Sequence, residues 1–384
     1  MKNTLIITGL DSSEKFGGLE RWYVQLANML DEQGNIFLFY NLSMPPEFIL
    51  EKFSENNISV NIFANKDLKR NSKIYKDFLI KNDISLVIGQ FEAALNFLQI
   101  PNKTGIKTVW CLYMGNFYAY DTKWKYNLKL YLGVLWYRLQ TFRKLFYVNK
   151  VYCASEGVQK EFRGFFGHNK KFEVNYLGLD DDILDKYSFV DILTKTKNKT
   201  DQIIISCIGF HAPIKGIDIF VRAIAELNER GFDNVLYYQI GSSLISDTAH
   251  YTLHLKDLAK SLNVDNLHWK GTQKDVFPFL LQSDVYCQPS RHEALSFTVM
   301  EAMTVGLPIV GANNCGIPEL VQHDINGYLF NTGDYIDLAD KLEVLINSKK
   351  IRDEFGVNSF EIIRMNKFRT TTNIKKLIDY LVDS

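Results

Sequence analysis

Short runs of β-branched and aromatic residues alternate with segments of helical length along nearly the whole chain. The first half holds the runs TLIITGL, NIFLFY, ISVNIF, SLVIGQ, KTVWCLY, KVYCAS and FEVNYLG. The second half starts the pattern again with IIISCIG, VLYYQIG, LHWKG, VYCQPS, IVGA and GYLF. Such alternation is typical of parallel sheets covered by helices. The sequence therefore predicts an α/β fold.

The length of the chain favours two domains. Its 384 residues exceed the roughly 250 to 300 at which hydrophobic cores tend to split. The polar stretch 185–201, which ends in TKTKNKT, is the best candidate for a linker. We predict two Rossmann-like domains, over residues 1–185 and 200–355, that face each other across a cleft. A C-terminal helix over residues 356–384 is expected to pack toward the first domain.

Charge and cysteine usage exclude several classes of protein. Lys plus Arg and Asp plus Glu each total 44, so no global field favours nucleic acid. The five cysteines are far apart and four lie in apolar runs, which favours buried, reduced thiols over disulfides or zinc ligands. Neither a secretory signal nor an apolar run of the ~20 residues that a membrane span needs is present. We predict a cytoplasmic protein.

Two strand-to-helix loops are candidate anion sites, since open α/β sheets bind ligands beyond the carboxyl ends of their strands. After the first strand, Gly17 and Gly18 would let the backbone approach a phosphate or a sugar. A plain tight turn is the alternative, because G-x-G-x-x-G is absent. After IIISCIG, Lys215 is placed to neutralise a diphosphate, with His211 as a second donor. The alternative for both is a solvated side chain.

A third loop, within residues 283–320, is the most informative. Here the strand VYCQPS leads through Glu293 into a helix predicted from Ser296 to Val305. Ser296 can cap this helix, whose first amides can then bind phosphate oxygens. Glu301 lies among apolar residues, where a carboxylate needs a partner. A ribose diol would supply two hydrogen bonds; solvent or an internal salt bridge is the alternative.

The spacing of these residues has a known counterpart. Glu293 and Glu301, with seven residues between them, lie in Pro-Ser-Arg-x-Glu and Glu-Ala-Met-x-x-Gly-x-Pro segments. This pattern resembles family 4 of the retaining glycosyltransferases, which are glycosyl transferases group 1 with the GT-B fold. Further matching positions are Gly17, Gly18 and Glu20; Gly178 and Asp180; Lys215 and Gly216; and Gly316, Pro318 and Glu319.

The resemblance implies a retaining, metal-independent transferase that moves a sugar from a nucleotide-sugar donor, with a UDP-sugar favoured over a GDP-sugar, to a saccharide acceptor. No cofactor is implied. Glu301 would bind the donor ribose, Glu293 the hydroxyls of the transferred sugar, and Lys215 the departing diphosphate, so that Lys215 and Glu293 are the expected catalytic residues. The full expected donor set is Gly17, Gly18, His211, Lys215, Glu293, Leu295, Ser296, Phe297 and Glu301.

The chain departs from the family pattern at two places. Phe210 stands where many members carry an arginine, and the segment WCLYMGNFYAYD lacks the histidine often found there. Asn116, Tyr118 and Asp121 are candidate acceptor contacts in that segment. The acidic triplet 180–182 forms a D-x-D, but its place after Gly178 favours an acidic surface turn over a metal site.

Residues 123–150 combine Lys and Arg with many aromatic residues and contain no acid. A helix of this composition is suited to docking at an anionic membrane surface. An ordinary domain helix with one buried stripe is the alternative. Membrane docking fits an enzyme that elongates a lipid-linked saccharide in cell-surface polysaccharide assembly, at the cytoplasmic face of the membrane.

Two other functions are compatible with the same motifs. A nucleotide-sugar epimerase of GT-B fold would bind the same donor without an acceptor. A non-catalytic protein that binds nucleotide sugars would retain the fold without turnover, in keeping with the missing arginine and histidine.

Overall fold

A computed structural model describes residues 3–8, 18–30, 34–40, 43–62, 72–113, 128–167, 171–188, 202–243 and 249–382. The chain divides into two compact units. Unit 1 comprises Met1–Asp180 and Lys367–Ser384, and unit 2 comprises Asp181–Asn366. Each unit contains one parallel sheet with helices, so the predicted α/β class is confirmed.

Unit 1 is built on a seven-stranded sheet of order β3-β2-β1-β4-β5-β6-β7. All its strand pairs are parallel. The strands are β1 (Asn3–Ile7), β2 (Ile36–Tyr40), β3 (Ile58–Ile62), β4 (Ile84–Gln90), β5 (Lys107–Leu112), β6 (Lys150–Cys153) and β7 (Phe172–Val174). Each lies in one of the seven predicted runs to within one residue, because strands covered by helices on both faces are nearly continuously apolar.

The helices of unit 1 are α1 (Gly18–Met29), α2 (Glu47–Glu55), α3 (Ser72–Lys81), α4 (Phe91–Ala94), α5 (Gln99–Lys103), α6 (Leu128–Leu145) and α7 (Glu156–Phe166). Unit 2 begins with α8 (Asp181–Leu184). Of the predicted linker 185–201, only residues 185–188 are among those described.

Unit 2 carries a six-stranded parallel sheet of order β10-β9-β8-β11-β12-β13. Its strands are β8 (Ile204–Ile208), β9 (Leu236–Ile240), β10 (Leu267–Gly271), β11 (Val285–Gln288), β12 (Ile309–Ala312) and β13 (Gly327–Phe330). Its other helices are α9 (Ile217–Glu229), α10 (Ala249–Ser261), α11 (Phe277–Gln282), α12 (Phe297–Thr304), α13 (Ile317–Leu320), α14 (Tyr335–Asn347) and α15 (Lys349–Ile363). Fully buried Phe220 of α9 and Tyr237 of β9 lie at the centre of its core.

The last helix, α16 (Thr370–Val382), belongs to unit 1 and packs on α1. The preceding helix, α15, packs on α12 in unit 2. Arg364, just after α15, donates to the carbonyl oxygens of Leu184 at 2.6 Å and Tyr187 at 2.5 Å, which keeps this stretch in unit 2. The chain therefore leaves unit 2 after Asn366, about one helical turn beyond α15, whereas the sequence places that limit at 355/356.

Four cysteines, Cys111, Cys153, Cys207 and Cys287, are buried and unpaired, as their apolar surroundings predict. Burial raises the pKa of the Cys111 and Cys207 thiols to about 12, which makes them inert at neutral pH. Among the helices that the structure describes, none has the length and the apolar run that a membrane crossing requires.

Candidate functional site

Lys215 and Glu293 form an ion pair at the carboxyl edge of the unit 2 sheet. The chain leaves β8 and makes a 3-10 turn over Pro213–Lys215, while Glu293 follows β11. The Lys215 Nζ lies 2.7 Å from a Glu293 carboxylate oxygen, and the two side chains are 20% and 15% exposed. Phe210, which stands where the family often has arginine, packs its ring 5.3 Å from the same Nζ. The two residues expected to be catalytic thus lie together.

Gly216 allows the lysine loop to pack directly on the end of β11. Its φ of +66° is left-handed, and a Cβ at this position would lie 2.0 Å from the Pro289 carbonyl oxygen. The Arg291 amide also donates to the Ile214 carbonyl at 2.8 Å. Only glycine satisfies both the φ value and the close approach, so the Lys-Gly pair has a structural cause beyond the charge of the lysine.

Arg291 clamps the two loops together through Asp218 in the first turn of α9. Its guanidinium makes two hydrogen bonds to the Asp218 carboxylate, at 2.7 and 2.6 Å, and a third to the Pro213 carbonyl at 2.6 Å. Burial alone would raise the pKa of Asp218, but the bonds from Arg291, with a lesser one from Tyr251, lower it below its usual value of 3.8. This pair was not predicted from the sequence; an acid two residues after Lys-Gly is the signal that could have indicated it.

The Glu293 loop is held by backbone and side-chain contacts from the loop after β12. The Asn314 side chain accepts from the Glu293 amide at 3.1 Å and donates to the Ser290 carbonyl at 2.8 Å. The Gly316 amide donates to the Glu293 carbonyl at 3.0 Å. Cys315, between them, has a φ of +41°, a strained value for a residue with a side chain. The contacts fix the backbone of Glu293, and the Ser290 hydroxyl donates to its carboxylate at 3.2 Å.

The helix after this loop, α12, is capped as predicted, since the Ser296 Oγ accepts from the Val299 amide at 3.3 Å. Behind the cap lies a buried polar network centred on Gln288. The Gln288 Oε1 accepts from Tyr286 at 2.8 Å and from Thr298 at 3.2 Å, and its Nε2 donates to the Ser290 Oγ at 2.7 Å. The network connects the cap of α12 to the residue that binds the Glu293 carboxylate.

One face of α12 is partly exposed, and Glu301 lies on it. Phe297, Thr298 and Glu301 are its partly exposed residues, while Val299, Met300 and the residues 302–304 are buried. The spacing of three and four residues places Glu301 above the first turn of the helix. Leu295 and Ser296 are only 6% and 3% exposed as whole residues, so the described structure leaves little of either open to a ligand.

His211 does not point to a site for an anion, in contrast to the expectation from sequence. It is 2% exposed, and its two ring nitrogens lie 2.7 Å from the Thr252 hydroxyl and 2.9 Å from the Gln239 side-chain oxygen. Burial lowers the pKa of His211 below 6.5, which keeps the ring neutral. Neither the phosphate-donor role nor a solvated side chain fits this placement; His211 is a buried polar residue of the core.

In unit 1, several predicted positions lie outside the described residues: Gly17, Asn116, Tyr118 and Asp121. Gly18 is the first residue of α1. The acidic surface turn predicted at 180–182 needs a correction, because Asp180 is 13% exposed and forms an ion pair with Arg21 of α1 at 2.7 Å. The Asp180 carboxylate therefore ties the end of unit 1 to its first helix.

A buried polar group that the sequence did not indicate lies at the carboxyl edge of the unit 1 sheet. The Tyr23 hydroxyl donates to the Gln90 Oε1 at 2.5 Å. The Gln90 Nε2 and the Tyr40 hydroxyl, both at the ends of strands, are buried without a hydrogen-bond partner. Phe91, directly after Gln90, has a φ of +61°, which is unusual for a bulky residue. Buried donors and backbone strain commonly occur together at binding sites.

Residues 190–361 match the family model of the glycosyl transferases group 1. This matched segment lies within unit 2 and is similar to the glycosyl transferases group 1. An uncharacterized glycosyltransferase of Haemophilus influenzae is 32% identical over 162 residues, which cover 41% of this chain and 42% of that protein. The chain spans less than half the length of the first curated relatives that it matches. The matched segment contains the Lys215–Glu293 pair and α12.

Solved structures show the fold of the whole chain. The Anabaena protein Alr3699/HepE is similar in its complexes with UDP, at a TM-score of 0.79 and 19% identity, and with UDP-glucose, at 0.77 and 18%. Both matches cover 100% of each chain. The lipopolysaccharide outer core galactosyltransferase WaaB is similar at a TM-score of 0.70 and 13% identity, over 100% of this chain and 99% of WaaB. The chain has the GT-B fold that its motifs imply.

Proposed function

We propose that this protein is a retaining glycosyltransferase that moves a sugar from a nucleotide-sugar donor to a saccharide acceptor. The donor is proposed to bind to unit 2. The observation that carries the proposal is the Lys215–Glu293 ion pair beside α12. A cation, a carboxylate and the start of a capped helix lie on adjacent loops at the carboxyl edge of one sheet, where α/β proteins bind nucleotides.

Lys215 is proposed to bind the donor diphosphate. Among the basic side chains described at this site, Arg291 is occupied by Asp218 and His211 is buried and hydrogen-bonded. The first amides of α12 have no acceptor within the helix. One of them, the Val299 amide, is capped by the Ser296 hydroxyl. A lysine and free amides at a helix N-terminus are a suitable anion site.

Glu301 is proposed to bind the donor ribose, since it lies on the partly exposed face of α12 above those amides. A carboxylate can accept two hydrogen bonds from a ribose diol. The complexes of Alr3699/HepE with UDP and UDP-glucose favour uridine as the base and a UDP-sugar as the donor.

In the proposed reaction, the bond between the anomeric carbon and the diphosphate breaks, and the acceptor oxygen bonds to that carbon on the same face. The acceptor proton goes to the departing phosphate oxygen. Negative charge builds on the diphosphate as the sugar becomes oxocarbenium-like, so Lys215 and the amides of α12 stabilise the transition state most. Because these groups supply the positive charge, the proposal needs no metal ion. Glu293, whose carboxylate Lys215 and Ser290 hold, would orient the hydroxyls of the sugar.

Unit 1 is proposed to bind the acceptor, a lipid-linked saccharide of cell-surface polysaccharide synthesis on the cytoplasmic face of the membrane. The likeness to WaaB, a lipopolysaccharide galactosyltransferase, supports this class of acceptor. The buried polar group of Tyr23, Tyr40 and Gln90 is one described part of unit 1 that offers unpaired donors.

The first experiment measures the thermal stability of the purified protein with UDP-, GDP- and ADP-sugars. We expect a UDP-sugar to raise the Tm of the wild type, and Lys215→Ala or Glu301→Ala to abolish the shift. Lys260→Ala and Glu354→Ala, which replace exposed residues of α10 and α15, are the matched controls and should keep it. No shift with any nucleotide sugar would overturn the donor site.

Turnover distinguishes the transferase from its alternatives. We expect Lys215→Ala to lower kcat about 10²- to 10³-fold, as for the loss of one group that stabilises the transition state. Isomerised or released sugar in the absence of any acceptor would indicate an epimerase, and donor binding without turnover on any saccharide acceptor would indicate a non-catalytic protein.

A further inference from the structure

Helix α6 is apolar on two opposite faces. Val134, Thr141 and Leu145 are 2–3% exposed and face the interior of unit 1. The opposite side of the helix carries a row of large side chains that are exposed to solvent. This exposed row consists of Leu132 (56%), Leu135 (40%), Trp136 (65%), Leu139 (55%), Phe142 (44%) and, just after the helix, Phe146 (67%).

The spacing of the exposed row is that of a single helical stripe. Its members follow one another by three, one, three, three and four positions, which keeps them on one side of a helix with 3.6 residues per turn. A helix of a water-soluble domain normally has charged residues there. An exposed, contiguous stripe of this kind marks a surface that something else covers.

Charge decides between the possible occupants. Arg143 lies within the stripe and Arg138 at its edge, both exposed, and the segment from Asp121 to Glu156 contains no acid between those two residues. A second copy of the chain seated on the stripe by two-fold symmetry would bring like charges together. An anionic lipid surface instead complements the arginines and takes up the aromatic and aliphatic side chains.

We infer that the exposed row of α6 docks unit 1 on an anionic lipid bilayer, with Trp136 and Phe146 inserted at the level of the headgroups. The helix lies in the interface and does not cross it. This inference adds a partner to the proposed function and agrees with a lipid-linked acceptor, but it rests on the surface of α6 and not on the donor chemistry.

The test is co-sedimentation of the full chain, without donor or acceptor, with vesicles of phosphatidylcholine alone or with a third of phosphatidylglycerol. We expect binding to the anionic vesicles only, weakened by added salt, and a blue shift of tryptophan emission. Arg138→Gln with Arg143→Gln should weaken binding about 25-fold, at roughly fivefold per charge. Trp136→Ser with Leu139→Ser should weaken it at least about tenfold.

Helix α3 of the same unit provides the matched control. It exposes Ile74 (56%) and Ile80 (67%) together with Lys73 and Lys76, but without a continuous apolar row. Ile74→Ser with Ile80→Ser, and Lys73→Gln with Lys76→Gln, should leave binding unchanged. A surface substitution of either kind should leave the Tm within a few degrees of the wild type.

Three outcomes would overturn the inference: no binding of the wild type to anionic vesicles, an equal loss of binding in the α3 and α6 variants, or a dimer in solution that the α6 variants dissociate. The last result would identify a second copy as the occupant. Because no sugar transfer is measured, failure here leaves the proposed donor site and transfer reaction untouched, and loss of transferase activity in Lys215→Ala leaves the docking surface untouched.

Discussion

At the scale of single residues, the Arg291–Asp218 pair links the lysine loop to the loop that carries Glu293. The side chains are 28% and 19% exposed, so they are partly removed from water and form two parallel hydrogen bonds. Bonds of this type are stronger than neutral ones and fix an orientation. The pair is a positioning device: it holds the backbone on which Lys215 and Glu293 lie.

Because the pKa of Asp218 is lowered, the stabilisation of unit 2 by this pair depends on pH. The pKa of Asp218 in the folded protein lies below 3.8. The stabilisation that its carboxylate provides is therefore complete above its pKa in the unfolded chain and is lost as the pH falls through its pKa in the folded protein. We expect Asp218→Asn to lower the stability of unit 2 by roughly 1.5 to 3 kcal/mol at pH 7 and by progressively less below about pH 4.

Urea unfolding between pH 3 and 7, read by pulsed hydrogen exchange of peptides from unit 2, measures this difference. Asp233→Asn, which replaces an exposed acid of the same unit, should change the stability by less than about 0.5 kcal/mol at every pH. A penalty for Asp218→Asn that stayed constant down to pH 3 would contradict the assignment of the effect to the carboxylate.

The place of Lys215 just before a helix made it a candidate for binding a diphosphate, whereas the roles expected of Glu293 and Glu301 came from the resemblance to a known family. The sequence does not show which basic side chains are already bound to other residues of the protein. His211 appears in the sequence as a polar residue in a loop, and its burial between Thr252 and Gln239 depends on β9 and α10. Such contacts between distant segments have no local signal in one sequence.

At the scale of elements, the position of the lysine loop depends on Gly216. A methyl group there would meet the Pro289 carbonyl oxygen at 2.0 Å, and this neighbour is backbone, which cannot move aside as the end of a flexible side chain can. We expect Gly216→Ala to displace the loop from the end of β11 and to weaken binding of the nucleotide sugar at least about tenfold, because the Lys215 ammonium must lie within hydrogen-bonding distance of the phosphate. Isothermal titration of the donor measures the change.

Substitution of Gly231 is the control that separates the effect of a steric clash from that of backbone strain. It also has a left-handed φ, of +92°, but no atom lies within 4 Å of its would-be Cβ. Gly231→Ala therefore carries a strain of about 1 to 2 kcal/mol without a collision, and should lower the stability of unit 2 while the donor Kd stays near that of the wild type. Equal donor affinities in the two variants would show that the packing of Gly216 on Pro289 does not position Lys215.

Elements were predicted more completely than their packing. All thirteen described strands lie in the predicted runs to within one residue, because strands that are covered on both faces are rich in apolar residues. Helix α6 shows the limit of such reasoning. Its composition indicated either a buried stripe or a docking face, and the structure shows a buried stripe and, on the opposite side, an exposed apolar row. Exposure depends on what packs against the helix, which composition does not encode.

At the scale of the whole molecule, the chain returns to unit 1 at its C-terminal end, and the return is a structural necessity for that unit. The Leu179 amide donates to the Phe368 carbonyl at 2.8 Å, and the Thr370 amide donates back to the Leu179 carbonyl at 3.1 Å. Gly178 lies so close to this segment that a Cβ would be 2.7 Å from the Arg369 carbonyl carbon. The segment thus closes the core of unit 1 beside its last strand.

Phe368 tests this role. Its side chain is fully buried and meets the Tyr176 ring edge to face at 5.6 Å. We expect Phe368→Ala to lower the free energy of unfolding of unit 1 by roughly 3 to 5 kcal/mol. The loss is measured as faster hydrogen exchange in peptides of β6, β7 and α1. Peptides of β8 and α9 in unit 2 should exchange as in the wild type, because the two units have separate cores.

Lys375→Ala, an exposed position of α16, is the control and should change neither unit. Equal loosening of both units in Phe368→Ala would show that they unfold as one cooperative body and that the C-terminal segment stabilises more than unit 1.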